Sequence, residues 1–384
     1  METDVVIVGG GPVGLYLAAL LLQAGVRVRV LEQRPSPNGH SRAIGIHPPA
    51  LAALEDVGLA SALVHAGVPI RRGLAISGGR TVGAMEFSSV SRRYPFVLAL
   101  PQHRTEQLLA ERVRTLDPDA LVRGARVTGV ADDGGQVAVS VGPGLGAADP
   151  ARGYAAQVVI AADGARSGLR QQLGVPVARK TYPDHYLMGD FADAGTHGET
   201  AVLFLERHGI VESFPLPGGV RRWVVRLGAP APAVAMDPLH LAHLVRDRTG
   251  ILPEPGSNSM LSAFSVHTTA ARKTVIGRVV LLGDAAHEIS PIGGQGMNLG
   301  WLDAQALAPV IQRVLTGTAT PAEVCRYESG RRQAAARAAR QAGINMMLGR
   351  PLPPALLGLR NAALAAVASS PPVNRWVARR FTMQ

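Results

Sequence analysis

The chain has 384 residues, of which 47% are hydrophobic and 17% charged, a globular composition large enough for one big core or two domains. Its single cysteine, Cys325, excludes an intrachain disulfide framework, a CxxC redox pair and a cysteine-rich zinc site, so a reducing, cytoplasmic setting is the default. The net charge of +11 raises nucleic acid as a partner, but only Lys180 and Lys273 of the 39 basic residues are lysine, no nucleic-acid motif accompanies them, and ten arginines against Glu323 and Glu328 place +8 of the excess in 321–384; no nucleic-acid partner is expected.

The N-terminus lacks a basic n-region, so it does not read as a secretory signal. Residues 4–8 form a short apolar run that predicts a buried strand. A glycine-rich turn follows, then a helix to about Gly25 and a second strand over 26–31. The apolar stretch 13–26 is too short to span a bilayer and falls where that helix belongs. A helix is expected after Pro48 and Pro49, and another over 107–115, starting near Arg104 or Thr105. Segments 121–130 and 136–141 read as a strand pair, and 154–162 as a further buried strand ending at Asp163 and Gly164. From about 176 to 267 the pattern changes to period-2 alternation over 201–206, 209–216 and 221–227, with a helix near 238–248, which predicts an antiparallel sheet. Thr320, Pro321 and Glu323 form a capping box that opens a long helix, in which Cys325 is expected to pack inward. Pro351, Pro353 and Pro354 break the chain before a last helix over 355–368 and a basic tail.

Two motifs carry the chemistry. In the first turn Gly9 permits a tight bend, Gly11 lets backbone approach a pyrophosphate, and Gly14 lets helix and strand pack closely, with Pro12 and Val13 opening the helix. The helix N-terminus offers free N–H groups and a positive dipole end. Glu32 ends the second strand eighteen residues beyond Gly14, where a carboxylate binds ribose hydroxyls and repels a 2′-phosphate. The run Gly142, Pro143, Gly144, Leu145, Gly146 imitates the motif but has no helix behind it, and reads as a loop. The second motif is Gly283, Asp284, Ala285, Ala286, His287, followed by Pro291, Gly294, Gly296 and Asn298. His47, His103 and His267 lack partners at metal-ligand spacing, and no metal site is expected.

These motifs, with "AADGARSGLR" around Asp163 and Gly164, "SRAIGIHPPALAALEDVGL" and "LPQHRTEQLLAERV", resemble in content and order the class A flavoprotein monooxygenases, the aromatic hydroxylases with the p-hydroxybenzoate hydroxylase fold. The resemblance covers most of 1–330. It implies an α/β fold: a Rossmann-like FAD-binding domain (1–70, 95–175 and 270–345), an antiparallel β-sheet substrate domain (71–94 and 176–269), and a C-terminal helical tail (346–384). It implies FAD, with Asp284 on the ribityl chain, Pro291 beside the ring, and backbone N–H groups of Gly296, Met297 and Asn298 toward the flavin pyrimidine. Arg42 and Gln102 match positions that approach FAD, Val127 a strand position near adenine, and Asp163, Gly164 and Arg166 a segment linked to FAD and transient NAD(P)H. It implies NADH or NADPH as reductant, a flavin C4a-hydroperoxide, and oxygen transfer to a hydrophobic, aromatic substrate. By looser analogy Phe204, Val211 and Ser213 face the substrate. His287 reads as an orienting residue rather than a base.

A prenyl-reductase-type enzyme of the same fold and a non-catalytic FAD-binding regulator stay open. A halogenase would carry a WxWxIP string, whereas Trp223, Trp301 and Trp376 are isolated; a disulfide reductase is excluded by the lone cysteine. The apolar run 352–368 followed by Arg375, Arg379 and Arg380 is similar to the tail of ubiquinone-pathway hydroxylases and admits peripheral membrane contact, with docking on the FAD domain the alternative.

Overall fold

The computed structural model describes residues 2–37, 39, 42–142, 153–228, 236–290 and 292–384. Strand β1 (Glu2–Val8) is apolar on both faces because it lies at the middle of a parallel sheet covered on both sides. It pairs with Gly153–Ala161 on one edge and with β2 (Val28–Glu32) on the other, and helix α1 (Pro12–Gln23) crosses between β1 and β2. Leu121–Arg123 extends this sheet beyond β2, and Val279–Leu281 extends it beyond Gly153–Ala161. Segment 121–130 is therefore not one strand. Gly124, at φ +72°, turns the chain, and Arg126–Asp132 leaves to pair with Val137–Gly142. The glycine run 143–146 lies outside the described residues.

The second sheet has eight strands, in the order His287–Glu288, Met260–Ala271, Val177–Ala192, Val220–Leu227, Gly209–Leu216, Ala201–Glu206, Arg72–Ser77, Arg80–Glu86. The segment 71–94 thus joins 176–269, and the second motif sends His287–Glu288 across to the same sheet. Helix Pro238–Thr249 packs on one face through Leu241 and Val245, among Leu187, Phe191 and Trp223. The other face looks toward the first sheet.

Helix Gln295–Leu315 lies against α1, fixed by the Trp301 indole N–H donated to the Pro12 carbonyl at 3.0 Å. The Thr320 hydroxyl and the Glu323 carboxylate cap each other's backbone N–H and open helix Pro321–Leu348. Cys325 is exposed on this helix, not packed inward. It lies two residues from the buried Tyr327, which on a helix is nearly the opposite side. The basic tail is also helical: Pro354–Ser369 is followed by Pro371–Phe381, and both lie along Arg80–Glu86 of the second sheet.

Asp184 ties these helices down. It is 0% exposed and accepts from Arg226 Nε at 2.8 Å and from Arg350, just beyond helix Pro321–Leu348, at 2.7 Å. Replacing Asp184 by Ala strands a buried arginine, and the expected loss is about 3 kcal/mol of unfolding free energy, read from urea denaturation. Arg350→Ala, which removes the more exposed partner, is expected to cost less.

Candidate active site

A cavity of about 1040 Å³ is walled by both sheets and by the C-terminal helices. Its first end is the glycine turn. Gly9 has φ +112°, and a Cβ there would stand 2.3 Å from the Ala162 carbonyl oxygen; one on Gly14 would stand 2.2 Å from the Gly9 oxygen. Both are closeness glycines, and Gly14 does not itself reach the cavity. Gly11 differs. Its φ of −78° suits any residue, and a Cβ would meet no atom of the described residues within 4 Å, so it faces open space in front of the α1 N-terminus. That cradle fits a pyrophosphate.

Gly9, Gly11, Pro12, Val13, Glu32, Gln102 and Val127 all line this end. Glu32 accepts the Gly10 N–H at 2.7 Å and the Arg34 backbone and Nε at 2.9 and 2.8 Å. Burial would raise its acid, but Arg34 and the Gly10 amide outweigh it and hold the carboxyl below its ordinary range. Glu32 therefore orders the turn while lining the cavity. Gln102 stands at the start of helix Gln102–Leu116, two residues earlier than expected because Pro101 caps it, and donates to Glu106 at 2.7 Å.

Further along lie Asp163, Gly164, Arg166 and Asp284. Asp163 accepts the Leu169 N–H through one oxygen; its other oxygen is buried without a hydrogen-bond partner, ready for a hydroxyl donor. Asp284 is surrounded by protein but opens to the cavity, and burial pushes its acid up to about 6 against the pull of His287. Sequence reasoning missed Arg170. Buried between the two segments, it donates to the Ala285 and Ala165 carbonyls, each at 2.9 Å, and so clamps the Asp163 loop to the Asp284 loop. Nothing in the sequence separates it from a surface helix arginine.

His287 is buried and pairs with Asp303 at 2.5 Å, and Asp303 also holds Arg331. Burial opposes its charge, but Asp303 prevails and raises the imidazole above its ordinary value. The pair anchors the Asp284 loop to helix Gln295–Leu315.

That helix begins after Gly293 and Gly294, both at positive φ, and Gly296 and Met297 line the cavity in its first turn, where backbone N–H groups lack helical acceptors. The Asn298 side chain points away from the cavity: it accepts the His47 N–H at 2.8 Å and donates to the Gly45 and Gly294 carbonyls. It holds the helix start against the 45–47 segment. His47 itself lines the wall, and burial pushes its imidazole down to about 4, against the Gly293 carbonyl it meets at 3.1 Å. Arg42 lies at the edge with its guanidinium 5.5 Å over the Phe264 ring. Pro291 lies outside the described residues.

The remaining wall is mainly apolar, made by Leu203, Leu205, Ile210, Phe214, Met188 and Val224 of the second sheet, with Glu212 and Arg222 among them. Phe204, Val211 and Ser213 do not line it. They lie on the opposite face: Phe204 stacks on Trp223 at 6.0 Å under helix Pro238–Thr249, and the Ser213 hydroxyl accepts from Arg221 at 3.0 Å. Side chains alternate along a strand, so choosing the neighbouring parity reverses the face. The tail closes the cavity instead of standing apart. Leu364, Val367, Val377 and Phe381 line it, and Phe381 stacks on Phe87 at 6.1 Å and meets His47 edge-on at 5.7 Å. Its outer face keeps Leu359 and Trp376 exposed. No helix among the described residues is long and apolar enough to cross a membrane.

A model of the FAD binding domain family matches residues 2–342. Rifampicin monooxygenase of Streptomyces venezuelae is 31% identical over 390 residues, covering 99% of this chain and 78% of that protein. Para-nitrophenol 4-monooxygenase of Pseudomonas sp. is 31% identical over 87% of this chain and 84% of its own length. Among solved structures, p-nitrophenol 4-monooxygenase of Pseudomonas putida superposes with a TM-score of 0.89 at 26% identity, over 99% of this chain and 98% of that one. The anhydrotetracycline hydroxylase of Streptomyces rimosus does so with a TM-score of 0.81 at 30% identity, over 100% and 76%. The chain therefore belongs to the FAD binding domain family. Within it the chain is a class A flavin-dependent aromatic monooxygenase, an oxidoreductase with the p-hydroxybenzoate hydroxylase type of α/β fold.

The Gly11 cradle yields a direct check. In Gly11→Val the backbone suits the residue and the Cβ meets no described atom within 4 Å, but the side chain fills the open space before the α1 N-terminus, where a pyrophosphate fits. The variant is expected to keep a wild-type unfolding temperature without added cofactor and to lose FAD affinity by about 100-fold or more, roughly the effect of a steric block worth ~3 kcal/mol. Flavin fluorescence titration of apoprotein reads it.

Proposed function

We propose that the glycine turn and the Asp163–Asp284 segment hold FAD, that NADH or NADPH reduces it, and that a hydrophobic aromatic substrate is hydroxylated against the apolar wall. The observation that carries this reading is the continuity of one cavity from the open Gly11 cradle to the sheet face of Leu203, Met188 and Phe214. When bound, the flavin supplies the redox chemistry, taking hydride equivalents and passing one atom of O₂ to the substrate.

The chain's own residues bind, orient and exclude water. The α1 N-terminus and Gly11 receive the pyrophosphate, and Glu32 faces the ribose hydroxyls. Asp284 and the unpartnered Asp163 oxygen accept ribityl hydroxyls. First-turn N–H groups at Gly296 and Met297 meet the pyrimidine edge, where a helix N-terminus favours negative charge. The tail helices, through Val377 and Phe381, keep water from the reacting end. The relatives act, by name, on rifampicin, anhydrotetracycline and para-nitrophenol, and a bulky hydroxylated aromatic suits a cavity of this size.

Turnover with NADH or NADPH under ¹⁸O₂, across a panel of polycyclic phenols, tests the reading. The expected result is substrate-stimulated NAD(P)H oxidation and a product heavier by one ¹⁸O atom. Reduction of the flavin with hydrogen peroxide as the sole oxygen product under every aromatic would favour a reductase instead, and a chain that takes up no flavin would remove the reading.

A further inference from the structure

Strand Gly209–Leu216 presents Ile210, Glu212 and Phe214 to the cavity. Glu212 is paired in register with Leu203 on one neighbouring strand and Val224 on the other. It is 7% exposed and carries neither hydrogen bond nor ion pair among the described residues. This isolates it from the other buried carboxylates of the sheet. Asp184 is held by Arg226 and Arg350, and Asp190 takes both Nε and Nη2 of Arg222, at 2.6 and 2.8 Å. The third nitrogen of Arg222 is spent on the Arg42 carbonyl at 2.7 Å, and Arg226 is held by Asp184, so both cations two residues from Val224 are committed elsewhere. Across the same wall the Tyr186 hydroxyl is buried and also lacks a partner.

An unpartnered carboxylate in an apolar wall costs stability, and folding alone does not explain it. Burial pushes its acid up to about 7, with no donor opposing the shift. A ligand in the cavity can supply the missing donor.

We propose that Glu212 is the polar anchor of the substrate site, accepting a hydrogen bond from a hydroxyl on the aromatic substrate and so selecting phenols over their ethers. The proposal rests on the reading of the apolar end as the substrate site. A hydroxyl fits better than an ammonium, which would have to be stripped of water to enter a mainly apolar wall. A metal fits less well, since no group of three or more His, Cys, Asp or Glu side chains is assembled among the described residues. A site built around a buried acceptor rejects a ligand that lacks the donor far more strongly than an apolar pocket rejects a small change of shape.

The test uses the flavin-loaded enzyme with 1-naphthol, 1-methoxynaphthalene and 1-naphthylmethylamine as probes, and affinity read from flavin and protein fluorescence. Wild type is expected to prefer the naphthol over its methyl ether by roughly 10-fold or more. Glu212→Leu should abolish or invert that preference, with flavin content unchanged. Between pH 6 and 8 the wild-type preference should grow with pH, because the ionised carboxylate accepts the stronger bond. The Glu212→Gln preference should stay flat. Of the groups facing it from the neighbouring strands, the Tyr186 hydroxyl is raised by burial and Asp184 is held low by Arg350 and Arg226 despite burial, while Arg222 and Arg226 are ion-paired with Asp190 and Asp184. Glu212→Leu should also unfold at the wild-type temperature or higher, since an uncompensated buried charge is gone.

Equal wild-type affinity for naphthol and ether, tighter binding of the amine, an unchanged preference in Glu212→Leu, or failure of both variants to fold would each overturn the proposal. If ¹⁸O is incorporated into phenols while Glu212→Leu keeps its preference, the monooxygenase reading stands and only the anchor falls.

Discussion

Three backbones converge on Val13, and the cavity depends on that approach. A Cβ on Gly300 would stand 2.6 Å from a Val13 methyl, and one on Gly283 would stand 3.4 Å from it. Glycine at these places lets helix Gln295–Leu315 and the Asp284 loop close on α1, where Trp301 locks them through the Pro12 carbonyl. The two chemistry-bearing motifs, nearly three hundred residues apart, therefore become opposite walls of one space. Larger residues would open the contact, and neither the helix start near Gly296 nor Asp284 would face the α1 N-terminus.

The loops around that contact are held by groups that do not line the cavity. Arg170 clamps the Asp163 and Asp284 segments by their carbonyls, Asp303 fixes His287, and Asn298 joins the helix start to the Gly45–His47 stretch. Each satisfies polar groups that the irregular backbone leaves open, so a cavity wall built from loops gains the rigidity of helices and strands. His47, buried and lining the cavity, adds to these: its ring meets the Gly293 carbonyl and the Phe381 edge, coupling the start of helix Gln295–Leu315 to the tail.

The second sheet divides its labour by parity. One face packs under helix Pro238–Thr249 as ordinary core, and the other lines the cavity. Asp184 and Asp190 on this sheet are buried but paired with arginines, which gives Glu212 its distinction: it is a buried carboxylate of that wall with no counterion among the described residues. Site residues are often placed where folding alone would choose otherwise.

What the sequence determined lies in short-range constraints. The glycine spacing of the first turn, Glu32 at the strand end, the proline-led helices and the Thr320 capping box are each decided within a few residues by sterics and backbone hydrogen bonding, and the structure carries them where expected. The motif residues of the glycine turn and of the Asp163 and Asp284 loops also come together on one cavity. What only the tertiary structure decided is which partner each face meets. Strands Ala201–Glu206 and Gly209–Leu216 are largely buried, so alternation cannot tell cavity from core, and Phe204, Val211 and Ser213 face helix Pro238–Thr249 instead of the cavity. Arg170, Glu212 and the tail residues Val377 and Phe381 carry no local mark. Their roles arise from contacts between segments far apart in the chain, which a local pattern does not encode.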